Sequence, residues 1–372
     1  MTKIVKDDFV QGNYNRPPDL ITDFLRQEDT THENNCLLRT VDFEFSTHCN
    51  LQCIYCFSGS GLLKEEDRKI VPVNQMFDLI EQAAELGVKN ITLLAGGEPL
   101  LYKEFFELVK KANSKGITVG TFTNGTMLDK EMAKKLRDHQ VTVIVKINSL
   151  NSKTHDGLVG RKGTFDKTMA GIRHLLDLGY DDTHFPQIGM ESVIVSRNLQ
   201  DIPSMWRFCR KNKILPFFER VGCYANTKIE RYKKLAVEPH QLKELFETLL
   251  EIDQKEFNYT WPLLPLMPSL QCTVHHDGCY IKVDGSVWPC AGVEKSCGNV
   301  FETSLVEIVK SGVLKQQRGE QKGDSFTFKG ACGTCEYHKN HDCYGCRGDT
   351  YKVTGDFLNE DPFCFHLAPE KK

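Results

Sequence analysis

The sequence predicts an α/β fold: a partial (β/α)6 barrel with a small cysteine-rich C-terminal domain. Three observations lead there. Strand-length apolar runs alternate with amphipathic helical patterns six times between Val41 and Phe218, and such alternation builds a parallel sheet with right-handed crossovers. Six units fall short of the eight that close a full barrel. After the proline-rich run 261–268, periodicity fades and cysteine and glycine take over, as in a small domain that uses metal in place of core. Spacing alone leaves a flat doubly wound sheet open beside the curved partial barrel. In either arrangement a ligand sits at the C-terminal strand ends.

The elements follow in order. Residues 1–40 read as a polar arm with one short helix at 20–25. Val41, Phe43 and Phe45 alternate with polar residues as a first strand. A helix over 73–86 carries Val73, Phe77, Ile80 and Ala84 on one face and stops at Gly87. Strand 90–94 runs into Gly96-Gly97-Glu98-Pro99. A helix over 103–115 leads to strand 117–122, which ends at Thr123-Asn124-Gly125-Thr126. Asp129 caps the next helix, and strand 141–147 follows. Residues 148–163 read as a long loop before a helix over 165–178. Strand 187–195, a helix near 203–211 and strand 214–218 complete the barrel domain, set at 41–235. Residues 236–268 form a bridging segment whose helix, 239–254, carries Leu242, Leu245, Phe246, Leu249 and Leu250. The remainder, 269–372, is the C-terminal domain, with a hairpin turning at Asp284-Gly285.

Composition narrows the function. The 372 residues carry 47 Lys and Arg against 50 Asp and Glu, a net charge of −3, which gives no support to a nucleic-acid partner. No apolar run is long enough to cross a bilayer and no signal sequence opens the chain. A cytoplasmic protein without membrane partners is the expectation.

Cysteine is the anomaly. Of the 15, three are Cys49, Cys53 and Cys56, and nine lie between Cys272 and Cys364. Uneven clusters in a chain with no export signal point to metal ligation rather than disulfides. Three thiolates in one tight loop can hold three irons of a cubane and leave the fourth open to a ligand. A zinc site recruiting His48 is the competing reading. Cys332-x2-Cys335 with Cys343-x2-Cys346 would likewise suit a zinc ribbon taken alone.

Cys49-x3-Cys53-x2-Cys56, with Tyr55 before the last cysteine, resembles the cluster loop of the radical S-adenosylmethionine (SAM) superfamily. Gly96-Gly97-Glu98-Pro99 matches that family's second motif, and the likeness extends over about 41–220. The resemblance implies a [4Fe-4S] cluster on Cys49, Cys53 and Cys56 and SAM held near Tyr55, Gly96, Gly97, Glu98, Pro99 and Asn124. Asn148, Ser149 and Glu191 are placed by it near the SAM carboxylate or ribose. Reductive cleavage of SAM would give a 5′-deoxyadenosyl radical that takes hydrogen from a substrate C–H bond.

The C-terminal cysteines resemble the SPASM extension of that superfamily. The resemblance implies two auxiliary [4Fe-4S] clusters, three in all: Cys272, Cys279, Cys290 and Cys346 on one, Cys332, Cys335, Cys343 and Cys364 on the other. Cys297 competes with Cys279. The segment between Cys335 and Cys343 is longer than the family's usual spacing, which makes His338, His341 or Asp342 substitute ligands. Glu219 and Arg220, at the end of the sixth strand, are the candidate substrate contacts, and with Glu191 they are the candidate catalytic residues.

What the resemblance implies about function is net oxidation or crosslinking of a ribosomally made peptide. Radical oxidation, epimerisation or decarboxylation of a small metabolite is the alternative, and a non-catalytic iron–sulfur electron-transfer or scaffold protein is a third. A flavodoxin- or ferredoxin-like donor would supply electrons. The arm before the first strand is too short for a winged-helix leader-binding module, so a leader would need direct docking or a separate leader-binding protein. Ala291 follows Cys290 where sulfatase-maturing relatives carry an Asp, which argues against that chemistry.

Overall fold

The computed structural model describes residues 17, 38–223, 229–270, 272, 278–318, 328–340 and 342–367. The helix expected at 20–25, Cys36 and His341 lie outside them. Six parallel strands form the barrel: β1 (Thr40–Phe43), β2 (Asn90–Leu93), β3 (Thr118–Thr123), β4 (Val141–Lys146), β5 (Ile188–Ile194) and β6 (Leu215–Arg220). They pair in chain order, with Val41 opposite Ile91, Ile91 opposite Val119 and Val143 opposite Ile188. The crossovers carry α1 (Val73–Glu85), α2 (Phe105–Asn113), α3 (Lys130–Asp138), α4 (Ser152–Val159), α5 (Thr164–Asp177) and α6 (Ile202–Lys211).

Alternation along each strand divides the two faces. Val41 and Phe43 of β1 turn to the helices and join the apolar core with Ile91, Val119, Val143 and Met190. Asp42 and Glu44 belong to the other face, where Glu44 accepts from the Tyr280 hydroxyl at 3.2 Å. Burial raises the Asp42 carboxyl to about 6, against the opposing hydrogen bond from Thr92. The barrel interior is therefore polar toward its mouth. It becomes apolar where Ile144, Leu215, Met267 and Leu270 pack together beside Phe122 and Phe217.

Two expectations change. Residues 148–163 are not an open loop: α4 occupies their centre, its N-terminus capped by Asn151, whose side chain accepts from the Thr154 amide at 3.2 Å. The hairpin of the C-terminal region is also not separate from the barrel. Its first strand, β7 (Gly278–Ile281), lies parallel to β1 with Val41 opposite Cys279, and β8 (Val287–Trp288) pairs antiparallel to it. One eight-stranded sheet results, in the order β6-β5-β4-β3-β2-β1-β7-β8.

Past β6 come α7 (Ile229–Leu235) and α8 (Pro239–Ile252). Leu242, Leu245, Phe246 and Leu249 of α8 are buried as their spacing requires. Phe246 meets Phe365 edge-on, with ring centres 5.8 Å apart, so the helix does link the barrel to the C-terminal region. That region contributes α9 (Leu305–Lys310), α10 (Val313–Arg318), α11 (Gly330–Thr334), α12 (Glu336–Lys339) and α13 (Arg347–Thr354). Among the described residues no helix is long and apolar enough to cross a membrane.

Candidate functional site

The cysteine loop leaves β1 and is fastened to the turn after β2 chiefly through backbone. The amide of Gly97 donates to Ser46 O at 3.1 Å and that of Glu98 to His48 O at 2.7 Å. A Cβ at Gly97 would stand 1.9 Å from His48 O, and one at Gly96 would stand 2.2 Å from Glu44 Oε1. Glycine is required here because two chain segments touch, not because the turn needs a positive φ. The Ser58 hydroxyl closes the junction by donating to Gly96 O at 2.6 Å.

Cys49, Cys53, Cys56, Gly96, Gly97 and Glu98 all line one cavity at the strand ends, with an empty volume near 920 Å³ including its open mouth. That is the scale of a pocket for a cofactor-sized molecule. Among the described residues no three His, Cys, Asp or Glu side chains converge closely enough to hold a single metal ion; what the three cysteines share is this cavity. Burial raises Cys49 to about 11 and Cys53 to about 12. Thiols so placed are poor nucleophiles while protonated, and a bound cation would stabilise their thiolates. The donor set and the tight glycine junction fit an iron–sulfur cluster with SAM beside it.

Glu98 is buried and held by three hydrogen bonds. One carboxylate oxygen accepts from the Thr123 hydroxyl at 2.6 Å and from the Leu100 amide at 3.2 Å, the other from the Asn124 amide at 2.8 Å. Burial raises its pKa despite these bonds. The same cavity is lined by Lys146 and Glu219, near the ends of β4 and β6, and by Glu191 from the middle of β5. Lys146 Nζ lies 3.0 Å from Glu191 Oε1, while Glu191 Oε2 is buried with no hydrogen-bond partner. An acceptor left empty in a cavity wall is suited to a donor on a bound molecule. Glu219 is pushed up to about 8, first by burial and then by the charge of Glu191.

The expected cofactor contacts divide. Tyr55 and Asn124 line the cavity with the glycines. Asn148 and Ser149 serve as braces instead. Asn148 Nδ2 donates to the Tyr55 hydroxyl at 2.6 Å and Asn148 Oδ1 accepts from the Val193 amide at 3.1 Å. Ser149 donates to Asp201 and is wholly buried. Pro99 opens a 3-10 turn away from the cavity. Arg220 points off the barrel mouth, bound to Asp349 and Asp361. Sequence reasoning missed Lys146. It is the only charged residue in Val-Thr-Val-Ile-Val-Lys and stands at the C-terminal strand end, which was signal enough. It also missed Arg231 of α7, which donates to the carbonyls of Cys53, at 3.0 Å, and Ile54. Nothing local in the sequence places that helix over the loop.

Cys332, Cys335, Cys343 and Cys364 line a second, smaller cavity together with His338, which stacks on Phe328 at 4.3 Å between ring centres. Cys343 is raised to about 12 by burial. Cys279, on β7, shares the face of Ile281 and is buried among apolar residues with Val41, and Cys297 is buried in the same cluster.

Comparison with known proteins agrees with this geometry. The Radical SAM superfamily model matches residues 43–195, and the SPASM iron–sulfur cluster-binding domain model matches residues 272–336. An AdoMet-dependent heme synthase of Methanosarcina barkeri is 28% identical over 90% of this chain and 98% of its own length. The subtilosin biosynthesis protein AlbA of Bacillus subtilis is 26% identical over 81% of this chain and 69% of its own. Streptococcus suis SuiB, solved with its precursor peptide SuiA, superposes with a TM-score of 0.66 at 21% identity, covering 88% of this chain and 76% of SuiB. The fold, the cysteine loop and its glycine junction together show that this chain belongs to the radical SAM superfamily, as a catalytic member with a C-terminal SPASM iron–sulfur domain.

Proposed function

We propose that this radical SAM enzyme oxidises or crosslinks a ribosomally made peptide in the cytoplasm, drawing electrons from a flavodoxin- or ferredoxin-like donor. One observation carries the reading: the cysteine loop and the Gly-Gly-Glu turn open into the same cavity as Lys146, Glu191 and Glu219, so cofactor and reacting substrate group share a single chamber. The full cofactor set in this reading is SAM and three [4Fe-4S] clusters. Cys49, Cys53 and Cys56 hold the first; Cys332, Cys335, Cys343 and Cys364 another; Cys272, Cys279, Cys290 and Cys346 the third.

When bound, the cluster and SAM supply a carbon radical able to take hydrogen from an unactivated C–H bond. The protein does the rest. Glu98, pinned by Thr123, Leu100 and Asn124, presents its remaining lone pairs to the SAM ammonium without reorganising. Glu191 Oε2 offers an acceptor to a hydroxyl or ammonium. Glu219, whose carboxyl is held up by burial and by the charge of Glu191, can donate a hydrogen bond to substrate when protonated and take up a proton from it once ionised.

The peptide reading draws support from AlbA and from two further relatives named as a sporulation killing factor maturation protein and a mycofactocin maturase. The heme synthases favour a second reading, decarboxylation of a tetrapyrrole, because their match runs over nearly their whole length. Charge favours the peptide. Among the described lining residues Lys146 is the one cation, facing Glu98, Glu191 and Glu219, poor company for a substrate bearing several carboxylates.

The test begins with anaerobic reconstitution and an assay for 5′-deoxyadenosine under dithionite. Wild type should bind iron on the scale of three cubane clusters and cleave SAM. A Cys49→Ala/Cys53→Ala/Cys56→Ala variant should lose cleavage while keeping about two thirds of the iron. 5′-Deoxyadenosine from the triple variant would refute the site. Incubation with short peptides encoded beside the gene, and separately with iron coproporphyrin, then separates the readings: loss of two hydrogens from a peptide supports the first, loss of CO2 from the porphyrin the second.

A further inference from the structure

β6 ends on two neighbours that face opposite ways. Glu219 lines the cavity, whereas Arg220 is buried against the C-terminal domain. Arg220 Nη1 donates to Asp349 Oδ2 at 2.5 Å, Nη2 lies 3.4 Å from Asp361 Oδ2, and the guanidinium sits 5.1 Å from the centre of the Phe363 ring. Both carboxylates are themselves bonded to backbone beside cysteine. Asp361 Oδ2 accepts from the Cys346 amide at 2.8 Å, and the Asp361 amide lies 3.4 Å from Cys332 Sγ. Asp349 Oδ1 accepts from the Cys223 amide at 2.5 Å, and the Asp349 amide lies 3.5 Å from Cys346 Sγ.

A buried cation shared by two carboxylates costs more desolvation than an apolar contact of the same volume would. Packing alone does not call for it. Its partners are informative: Cys346 belongs to one auxiliary cysteine set and Cys332 to the other, so one guanidinium is linked to both through single aspartates. Backbone N–H groups directed at ligand sulfurs stabilise the reduced and more negative form of an iron–sulfur cluster, and the Arg220 guanidinium offsets the opposing effect of the two carboxylates beside it. The peptide bond between Glu219 and Arg220 ties this arrangement to the cavity wall.

We infer that Arg220, with Asp349 and Asp361, is a positioning device that holds the cysteine loops of both auxiliary sites in register with the substrate cavity and sets their reduction potentials. The inference rests on the proposed assignment of those cysteines as cluster ligands. It gives Arg220 a role through other residues, not as a substrate contact.

The experiment uses the reconstituted full chain. Iron and sulfide per chain are measured first, then the potential of each cluster by paramagnetic resonance during redox titration, with the SAM cluster marked by its spectral response to added SAM. In Arg220→Met the auxiliary signals should move to more negative potential while the SAM cluster stays in place, and Arg220→Lys should recover part of the shift. Asp361→Asn keeps the side-chain shape and removes one negative charge, so it should move the auxiliary potentials the other way. Loss of auxiliary iron from either variant, with the SAM cluster retained, also supports the device. An iron-replete Asp361→Asn protein with unshifted auxiliary potentials overturns it, as do an equal shift of all three clusters and loss of every cluster at once. Wild type carrying the iron of only one cluster would sink the ligand assignment itself before any variant is read.

Discussion

A methyl group on Gly97 would press to 1.9 Å from the carbonyl oxygen of His48, and both partners are backbone, so neither can swing aside. Gly97→Ala should therefore separate the cysteine loop from the Glu98 turn. The expected result is at least a tenfold loss of SAM cleavage together with weaker SAM binding, read by 5′-deoxyadenosine formation and equilibrium dialysis; wild-type values for both would show that the junction tolerates displacement. The glycine pair was legible in the sequence as part of a motif, yet the atom it must avoid was not, because His48 reaches it only after β1 and β2 pair. The same gap separates Glu98 from Asn148. Both were expected at the cofactor, and the cavity wall includes only the first. Asn148 spends its side chain on Tyr55 and Val193, a commitment set by three strand ends meeting.

At the scale of elements, α4 shows how a polar stretch can be misread. Asn151 caps it and Leu158 and Val159 bury one face, but eight residues are too few for a clear helical period. Inside it His155 is fully buried, and its Nδ1 accepts from the Asn148 amide at 3.2 Å. Burial depresses its pKa to about 4, against a small opposing pull from Asp156. The neutral ring is the folded form, so between about pH 6.5 and 4 the unfolded chain takes a proton the folded chain refuses, and stability falls as pH falls. The contribution approaches roughly 3 kcal/mol at the acid end of that window. Urea unfolding of wild type and His155→Gln across this range should give curves that converge toward low pH; parallel curves would show that His155 does not titrate as its burial requires. β7 makes the complementary point. Its hairpin was readable from Asp284-Gly285, but pairing with β1 turned Cys279 into the core beside Val41, and strand register decides such a face.

At the scale of the whole molecule, Asp253, which follows α8, fastens the bridging segment to α6 of the barrel. Its carboxylate accepts from Trp206 Nε1 at 2.8 Å and Trp261 Nε1 at 2.8 Å, and Arg210 donates to it through Nε at 3.0 Å and Nη2 at 2.8 Å. All four side chains are buried. Asp253→Asn leaves the Arg210 guanidinium without its counter-charge, and the expected cost is about 3–5 kcal/mol, measured by urea denaturation; a change under about 1 kcal/mol would mean that solvent reaches the site. By itself the sequence determined the strand–helix alternation and the cysteine loop with its glycine turn, local patterns carried by periodicity and short spacing. The set Cys332, Cys335, Cys343 and Cys364, which the fold brings to one cavity, came from the resemblance to the SPASM extension, since short spacing alone groups Cys346 with the first three. Only the tertiary structure decided that Lys146 faces the cavity with Glu191, that Arg220 turns away from it to Asp349 and Asp361, and that β7 extends the barrel sheet. Each of those depends on which residues far apart in the chain become neighbours, and that is settled by the pairing and packing of whole strands, not by any one segment's own pattern.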